Sequence, residues 1–197
     1  MKTSRRPTLT VRKAEGLGYF LAFVACIPAA NWMIGHLGTV CAPGGPCLLP
    51  VWPWGGSQGP LMAPSGVAMI GLALVLRDLV QRRLGRVVAL LSIVAGAALS
   101  AAFAPPALVV ASGAAFLLSE FADFAVYTPL QHRGLVLAVL ASSVVGLIID
   151  SFLFLWLAFG SLEFLEGQIA GKLLMVLLAL PVVRWIRQHE RPSSIAE

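Results

Sequence analysis

The chain has 197 residues, of which 58% are hydrophobic and 12% charged, and its mean hydropathy is +0.88. Soluble domains carry about 25% charged residues, so this composition excludes a water-soluble domain and predicts an integral membrane protein. The net charge of +5 does not indicate nucleic-acid binding, because the basic residues cluster at the two ends and in short connections rather than along one face.

Six apolar stretches follow one another along the chain, each about as long as the 20-residue helix that crosses a bilayer. We predict membrane-spanning helices over residues 17–38, 64–84, 87–104, 107–128, 135–159 and 168–186. The first stretch is long enough to span and lacks a small-residue cleavage site, so we do not expect a cleavable secretory signal. The fold class is therefore predicted as all-α, a polytopic membrane protein with six transmembrane helices.

The distribution of Lys and Arg predicts the orientation of these helices. Basic residues occupy the N-terminal leader, the second-to-third junction, the fourth-to-fifth loop and the C-terminal end, while the other three connections contain none. Because cytoplasmic loops are enriched in Lys and Arg, both termini are predicted to be cytoplasmic. We divide the chain into a basic leader (1–16), one six-helix membrane domain (17–187) and a tail (188–197), and expect it in the plasma (inner) membrane.

The loop over residues 41–62 is rich in Gly, Pro and Trp and is expected outside the cytoplasm. Its tryptophans favour anchoring at the headgroup level, with a lid over a substrate entrance as the alternative. Cys41 and Cys47 can form a disulfide if that compartment is oxidising, and free thiols are the other reading. Cys26, inside the first apolar stretch, is expected to be a small buried hydrophobe.

Among the ionisable residues inside the apolar stretches, five are candidates for a role within the membrane: Asp78, Glu120, Asp123, Asp150 and Lys172. Each costs about 2.5–3.5 kcal/mol at the centre of an inserting helix, so such residues usually mark a solute or ion pathway. We therefore predict a carrier of a small polar molecule and expect these side chains to face one shared pocket.

Glu120 and Asp123 are three residues apart on one predicted helix and share a face, which Tyr127 continues four residues on. Two carboxylates so close in a low dielectric are not both expected to be ionised, so they can accept a proton, bind a cation or accept hydrogen bonds from a ligand. The structural alternative is neutralisation by Arg133 or Lys172. We favour function, because no basic residue lies at helical spacing on the same helix.

Asp150 lies near the middle of the fifth predicted helix. Ser119, Asp123 and Tyr127 match Gly146, Asp150 and Phe154 as a small residue, an acid and an aromatic at steps of four. A repeat of this kind brings two acids and two aromatic rings around one cavity, as in transporters with internal repeats.

Other polar residues in the predicted spans have several readings. Lys172 can extend to the interface or pair with one of the acids. Arg77 is expected to reach the cytoplasmic surface, whereas the Asp78 side chain is too short to do so and needs a partner. Asn31, three residues after Pro28, can contact a ligand or replace the backbone hydrogen bond that Pro28 removes.

Known catalytic patterns are absent, including a Gly-x-Ser-x-Gly elbow, His-Glu-x-x-His and a nucleotide-binding Gly-rich loop. We therefore predict that the protein is not an enzyme, with no catalytic residues and no cofactor. The three histidines are scattered in sequence, so no metal site is predicted.

The spaced polar positions inside apolar helices resemble the queuosine-precursor transporter family, also called VUT or vitamin-uptake-transporter-like proteins. The resemblance covers most of the chain. It rests on Asn31, Arg77-Asp78-Leu79 with Arg83-Leu84-Gly85, Ser119-Glu120-x-x-Asp123-x-x-x-Tyr127, Gly146-x-x-x-Asp150-Ser151-x-x-Phe154, Lys172 and Pro181. Many members carry glutamine where this chain has Glu120, and the loop with Cys41 and Cys47 matches no family pattern.

That resemblance implies a six-helix importer of 7-cyano-7-deazaguanine (preQ0) or 7-aminomethyl-7-deazaguanine, precursors of queuosine in tRNA modification and salvage. The implied substrate contacts are Asn31, Asp78, Glu120, Asp123, Asp150 and Lys172. A guanine-like edge offers N–H donors to carboxylates and an oxygen to Asn31 or Lys172. Tyr127, Phe124 or Phe154 can stack on the ring plane.

The alternative reading is the substrate-binding subunit of an energy-coupling-factor vitamin importer, also a six-helix protein of about this size. Such subunits dock their partner module through small residues on the first helix, which Ala25-x-x-x-Ala29 would fit. A membrane enzyme or assembly protein is disfavoured by the missing catalytic pattern. The expected partners are the deazaguanine solute and the bilayer, with no nucleic acid, and a homodimer is compatible with the sequence.

Overall fold

The computed structural model describes residues 9–41, 46–53, 59–104 and 106–189. Within these ranges the chain forms six α-helices, α1 (Leu9–His36), α2 (Val67–Leu84), α3 (Arg86–Phe103), α4 (Val109–Leu130), α5 (Leu135–Phe159) and α6 (Leu165–His189). The six predicted helices are confirmed. Their bounds move most for α1 and α6, because each helix continues beyond its apolar stretch into polar sequence.

Five of the six helices are long and apolar enough to cross a membrane, by length and composition: Lys13–His36, Arg86–Phe103, Val109–Leu130, Leu135–Phe159 and Leu165–Gln188. The exception is α2, which carries Arg77, Asp78, Arg82 and Arg83 within 18 residues. α2 packs against all five other helices. Its polar residues can therefore face protein rather than lipid, which is why a central helix need not be apolar. The prediction of six membrane spans is thus supported, by length and composition, for five of the helices.

The helices alternate in direction, so the bundle has two distinct ends. At one end, here called the sheet end, α1 leads into a small sheet and the α3–α4 and α5–α6 connections lie. At the other end, the basic end, lie Gly85 between α2 and α3 and residues 131–134 between α4 and α5. Large apolar side chains such as Val87, Val110 and Trp185 are exposed, as expected of a surface that faces lipid.

The loop between α1 and α2 forms a three-stranded antiparallel sheet in the order β1 (Val40–Cys41), β2 (Cys47–Trp52) and β3 (Leu61–Pro64). The all-α prediction is therefore wrong in this segment, and the protein is mostly helical. The central strand β2 pairs Leu48 with Val40 on one side and with Pro64 on the other. Cys41 and Cys47 are joined by a disulfide bond, which decides between the two readings of these cysteines.

The sheet is docked on the helices rather than extended away from them. β2 and β3 pack against α6, and β2 also contacts α1. Gly167 of α6 lies against the backbone of Met62 with no room for a Cβ atom, so a glycine is needed there for the close approach. The Ser65 hydroxyl donates to the Met33 carbonyl at 2.7 Å and ties the start of α2 to α1. The sheet therefore covers part of one end of the bundle.

Candidate functional site

Arg77 on α2 is fully buried, and its guanidinium contacts three carboxylates. Nη1 lies 2.8 Å from Asp78 Oδ1, Nε donates to Glu120 Oε2 at 3.0 Å, and Nη2 donates to Asp123 Oδ1. The interpretation that Arg77 reaches the cytoplasmic surface is therefore wrong. Arg77 lies ten residues into α2, about 15 Å along the helix, where acids on α4 hold it inside the bundle.

Polar side chains and aromatic rings complete this group. Gln81 Oε1 accepts a hydrogen bond from Arg77 Nη1 at 3.3 Å, and Gln81 Nε2 donates to Thr128 Oγ1 at 3.1 Å. Ser142 on α5 donates to Asp78 Oδ2 at 2.9 Å. The Tyr127 ring centre lies 5.8 Å from the guanidinium carbon, within the range of a cation–π contact. We call Arg77, Asp78, Glu120 and Asp123 the arginine cluster.

A second buried ion pair joins α5 and α6 nearer the sheet end. Lys172 Nζ donates to Asp150 Oδ2 at 2.5 Å, to Gln168 Oε1 at 2.5 Å and to Ser151 Oγ at 2.9 Å. Three acceptors take the three ammonium hydrogens. Of the two readings of Lys172, pairing with an acid is therefore the one found. We call Asp150, Ser151, Gln168 and Lys172 the lysine cluster.

A cavity of about 60 Å³ opens beside the lysine cluster, between the helices and the edge of the sheet. Its polar lining comes from Asn31, Ser100, Ser112, Asp150, Gln168 and Lys172. Phe116 and Phe154 supply aromatic surface, and Pro64 of β3 contributes from the sheet. The cavity therefore has the composition of a small-molecule site, which is a mostly apolar wall with a few convergent polar groups.

Asn31 brings its amide to this cavity from α1. Its Nδ2 donates to the Ile27 carbonyl at 3.1 Å. The backbone bond that Pro28 removes would end on the carbonyl four residues earlier, at Val24, so Asn31 does not replace it.

The structure divides the seven residues predicted from sequence between two levels of the bundle. Asn31, Asp150 and Lys172 line the cavity, whereas Asp78, Glu120, Asp123 and Tyr127 surround Arg77. Sequence reasoning missed Gln168, although it lies four residues before Lys172, the spacing of helical neighbours. It also missed Gln81 as a partner of Arg77, again four residues apart.

The two levels are adjacent because α4 and α5 pack along their length. Gly146 of α5 sits against Asp123, and a Cβ atom added there would lie 3.1 Å from Asp123 Cβ. Asp150 follows one helical turn after Gly146, toward the cavity. Glu120 likewise lies about one turn from Asp123 toward the sheet end. The arginine cluster and the cavity are therefore joined through two packed helices.

The two clusters differ in their balance of charge. The lysine cluster contains one ammonium and one carboxylate, while the arginine cluster contains one guanidinium and three carboxylates. An unpaired buried charge costs several kcal/mol. In the arginine cluster the ion pairs among the described residues leave two carboxylates without a cation of their own.

A bundle with five helices long and apolar enough to cross a membrane, enclosing a cavity with a few convergent polar groups, defines a polytopic membrane protein. The family model described as "putative vitamin uptake transporter" matches residues 87–186. The chain belongs to this family. The match covers α3 to most of α6, with Glu120, Asp123, Asp150 and Lys172, and leaves α1 and α2 outside it. No curated protein and no solved structure matches the chain.

Proposed function

We propose that the protein imports the queuosine precursors 7-cyano-7-deazaguanine and 7-aminomethyl-7-deazaguanine, and that the cavity beside the lysine cluster binds them. One observation carries the proposal. The Asp150 carboxylate borders the cavity with one oxygen held by Lys172, which leaves Oδ1 to accept hydrogen bonds from a solute. Membership of a vitamin uptake transporter family supports a small-molecule solute.

The cavity lining suits a flat, nitrogen-rich ring. The N–H groups of a guanine-like edge can donate to Asp150, while the amide of Asn31 can donate to the ring oxygen. Phe116 and Phe154 present apolar faces on which a bicyclic ring can pack. Asp150 supplies the specific contact in this arrangement, and the phenyl rings supply apolar surface for packing.

The described conformation is a closed one for such a solute. Pockets that bind drug-sized ligands measure about 300–1,000 Å³, whereas this cavity measures about 60 Å³. Binding therefore requires the helices or the sheet to separate around the cavity. Movement of one part of a bundle against another around a fixed central site is the usual way in which carriers alternate access.

Restoration of queuosine in a host that cannot make the precursor tests the proposal. The gene is expressed in that host, low external 7-cyano-7-deazaguanine is supplied, and queuosine in tRNA is measured. We expect restoration by the wild type and loss with Asp150→Asn at equal expression. Glu163→Gln is the matched control, because Glu163 is an exposed carboxylate outside the cavity. Normal queuosine with Asp150→Asn would contradict the binding role of the carboxylate.

Purified protein in liposomes separates this proposal from the substrate-binding subunit of an energy-coupling-factor importer. The exposed Ala25 and half-buried Ala29 on α1 are accessible for docking of a partner module. Uptake of the deazaguanine by the purified chain alone supports an autonomous carrier. Binding without uptake, followed by uptake once a coupling module is added, supports the subunit instead.

A further inference from the structure

Among the ion pairs of the described residues, the arginine cluster has more carboxylates than its single guanidinium can balance. Asp78 from α2 and Glu120 and Asp123 from α4 share the guanidinium of Arg77, and all four side chains are buried. If all three carboxylates were ionised, the cluster would carry a net charge of −2 in the middle of the membrane domain. Buried charge of this size is unstable unless protons or cations bind.

The helices around the cluster contribute further polar groups, whereas the cations Lys172 and Arg83 pair with other acids. From α5, Ser142 donates to Asp78, and Asp150 lies nearer the cavity. From α6, Lys172 is held by Asp150, and from α1, Tyr19 packs against the apolar cluster that includes Tyr127. After Arg86, α3 contains no ionisable residue. Arg83, near the basic end, pairs with Glu15 at 3.0 Å.

The environment of Asp123 Oδ2 also points to a bound proton. This oxygen is fully buried and has no hydrogen-bond partner within the ranges that the structure describes. It faces α5 at Gly146, where an added Cβ atom would lie 3.3 Å away. A buried carboxylate oxygen without a donor is the place where a bound proton removes the largest unfavourable interaction.

We propose that the arginine cluster binds one proton per transport cycle, on a carboxylate oxygen next to Arg77, and so couples import to the proton gradient. The step is the protonation of a carboxylate to a carboxylic acid on one side of the membrane and its reversal on the other. This proposal rests on the proposed import function. Asp123 is the preferred site, because its free oxygen contacts the helix that carries Asp150 one turn away. Protonation there changes the α4–α5 contact that positions the cavity carboxylate.

Infrared difference spectroscopy of the protein in lipid tests proton binding without any substrate. A protonated carboxyl has a carbonyl band that a carboxylate lacks. We expect such a band at neutral pH, and we expect Asp123→Asn and Glu120→Gln each to weaken or shift it. Glu163→Gln, which changes an exposed acid, should leave it unchanged. Absence of the band, or a band that neither cluster variant alters, would overturn the proton site.

Liposomes test the coupling to transport. For the wild type we expect accumulation of 7-cyano-7-deazaguanine under an acid-outside gradient, and its loss when a protonophore is added. For Asp123→Asn, uptake should lose its dependence on the gradient, whatever its absolute rate. Accumulation that ignores the gradient overturns coupling and leaves the import function intact. If the wild type moves no deazaguanine across the membrane, both the import function and its coupling to protons are overturned. The proton site is then tested by the infrared band, which needs no substrate.

Discussion

Lys172 Nζ on α6 lies 2.5 Å from Asp150 Oδ2 on α5, at the edge of the cavity. The ammonium also donates to Gln168 and Ser151, so its hydrogens are already used within the protein. Lys172 therefore holds one carboxylate oxygen of Asp150, and in the proposed binding mode it acts on the solute through that carboxylate.

The first prediction concerns this pair. Lys172→Met leaves Asp150 buried without a cation and is expected to lower the free energy of unfolding by about 3–5 kcal/mol, the cost of breaking a buried ion pair from one side. Adding Asp150→Asn in the same chain should restore part of that loss, because no buried charge then remains. Thermal unfolding of the single and double variants in detergent measures the difference. Strictly additive losses would show that the two side chains do not interact.

The second prediction concerns the shape of the guanidinium. Arg77→Lys keeps the charge, but its compact ammonium does not reproduce the wide planar fork of donors that reaches Asp78, Glu120 and Asp123. We expect a lower unfolding temperature and lower yield of folded protein. Arg77→Gln should be worse, since it removes the cation and leaves three buried carboxylates.

The control for the Arg77 variants is Arg187→Gln, which removes an exposed arginine on α6 and should change the unfolding temperature little. Adding Asp123→Asn to Arg77→Gln should recover part of the stability by removing one unbalanced acid. An Arg77→Gln protein as stable as the Arg187→Gln protein would contradict the role assigned to the arginine cluster.

The number and order of helices could be predicted from sequence, because an apolar stretch of about 20 residues has few alternatives to a spanning helix. The sheet could not. Its strands are two to six residues long, and Pro50 and Pro64 within them are typical of loops. The strand pairing joins residues on either side of the Gly-Pro-rich loop, which a local pattern does not reveal.

The candidate site was predicted as a set of residues but not as an arrangement. The cost of polar groups in lipid identifies Asp123, Asp150 and Lys172 wherever they lie. Which helix faces which is set by packing, so the sequence did not indicate that Arg77 would turn inward to three acids. The length of the Arg77 side chain instead favoured its extension to the cytoplasmic surface. The contact of α2 with every other helix places Arg77 inside the bundle, where acids on α4 reach it.

The third prediction concerns the contact between α4 and α5. An alanine at position 146 would bring Cβ to 2.9 Å from Leu74 Cδ2 and 3.1 Å from Asp123 Cβ, so the Leu74 side chain must shift and the α4–α5 contact must loosen slightly. We expect Gly146→Ala to destabilise the protein by about 1–3 kcal/mol and to reduce uptake. Gly18→Ala on α1 is the matched control, because nothing lies within 4 Å of its added Cβ. Unfolding temperatures and uptake of the two variants, measured side by side, check the expectation, and equal behaviour would contradict it.

The fourth prediction concerns the orientation of the bundle and uses its cysteines. Cys41 and Cys47 form the disulfide at the sheet end, and Cys26 is buried in α1. If the termini are cytoplasmic, the sheet end faces outward. A membrane-impermeant maleimide should then label no cysteine in intact cells, and two after treatment with an impermeant reductant. Cys26 should become reactive only after denaturation. Cys41→Ser/Cys47→Ser is the control, and it should remove the label that appears on reduction. Labelling that requires permeabilised cells would reverse the assigned orientation and place the cavity nearer the cytoplasmic side.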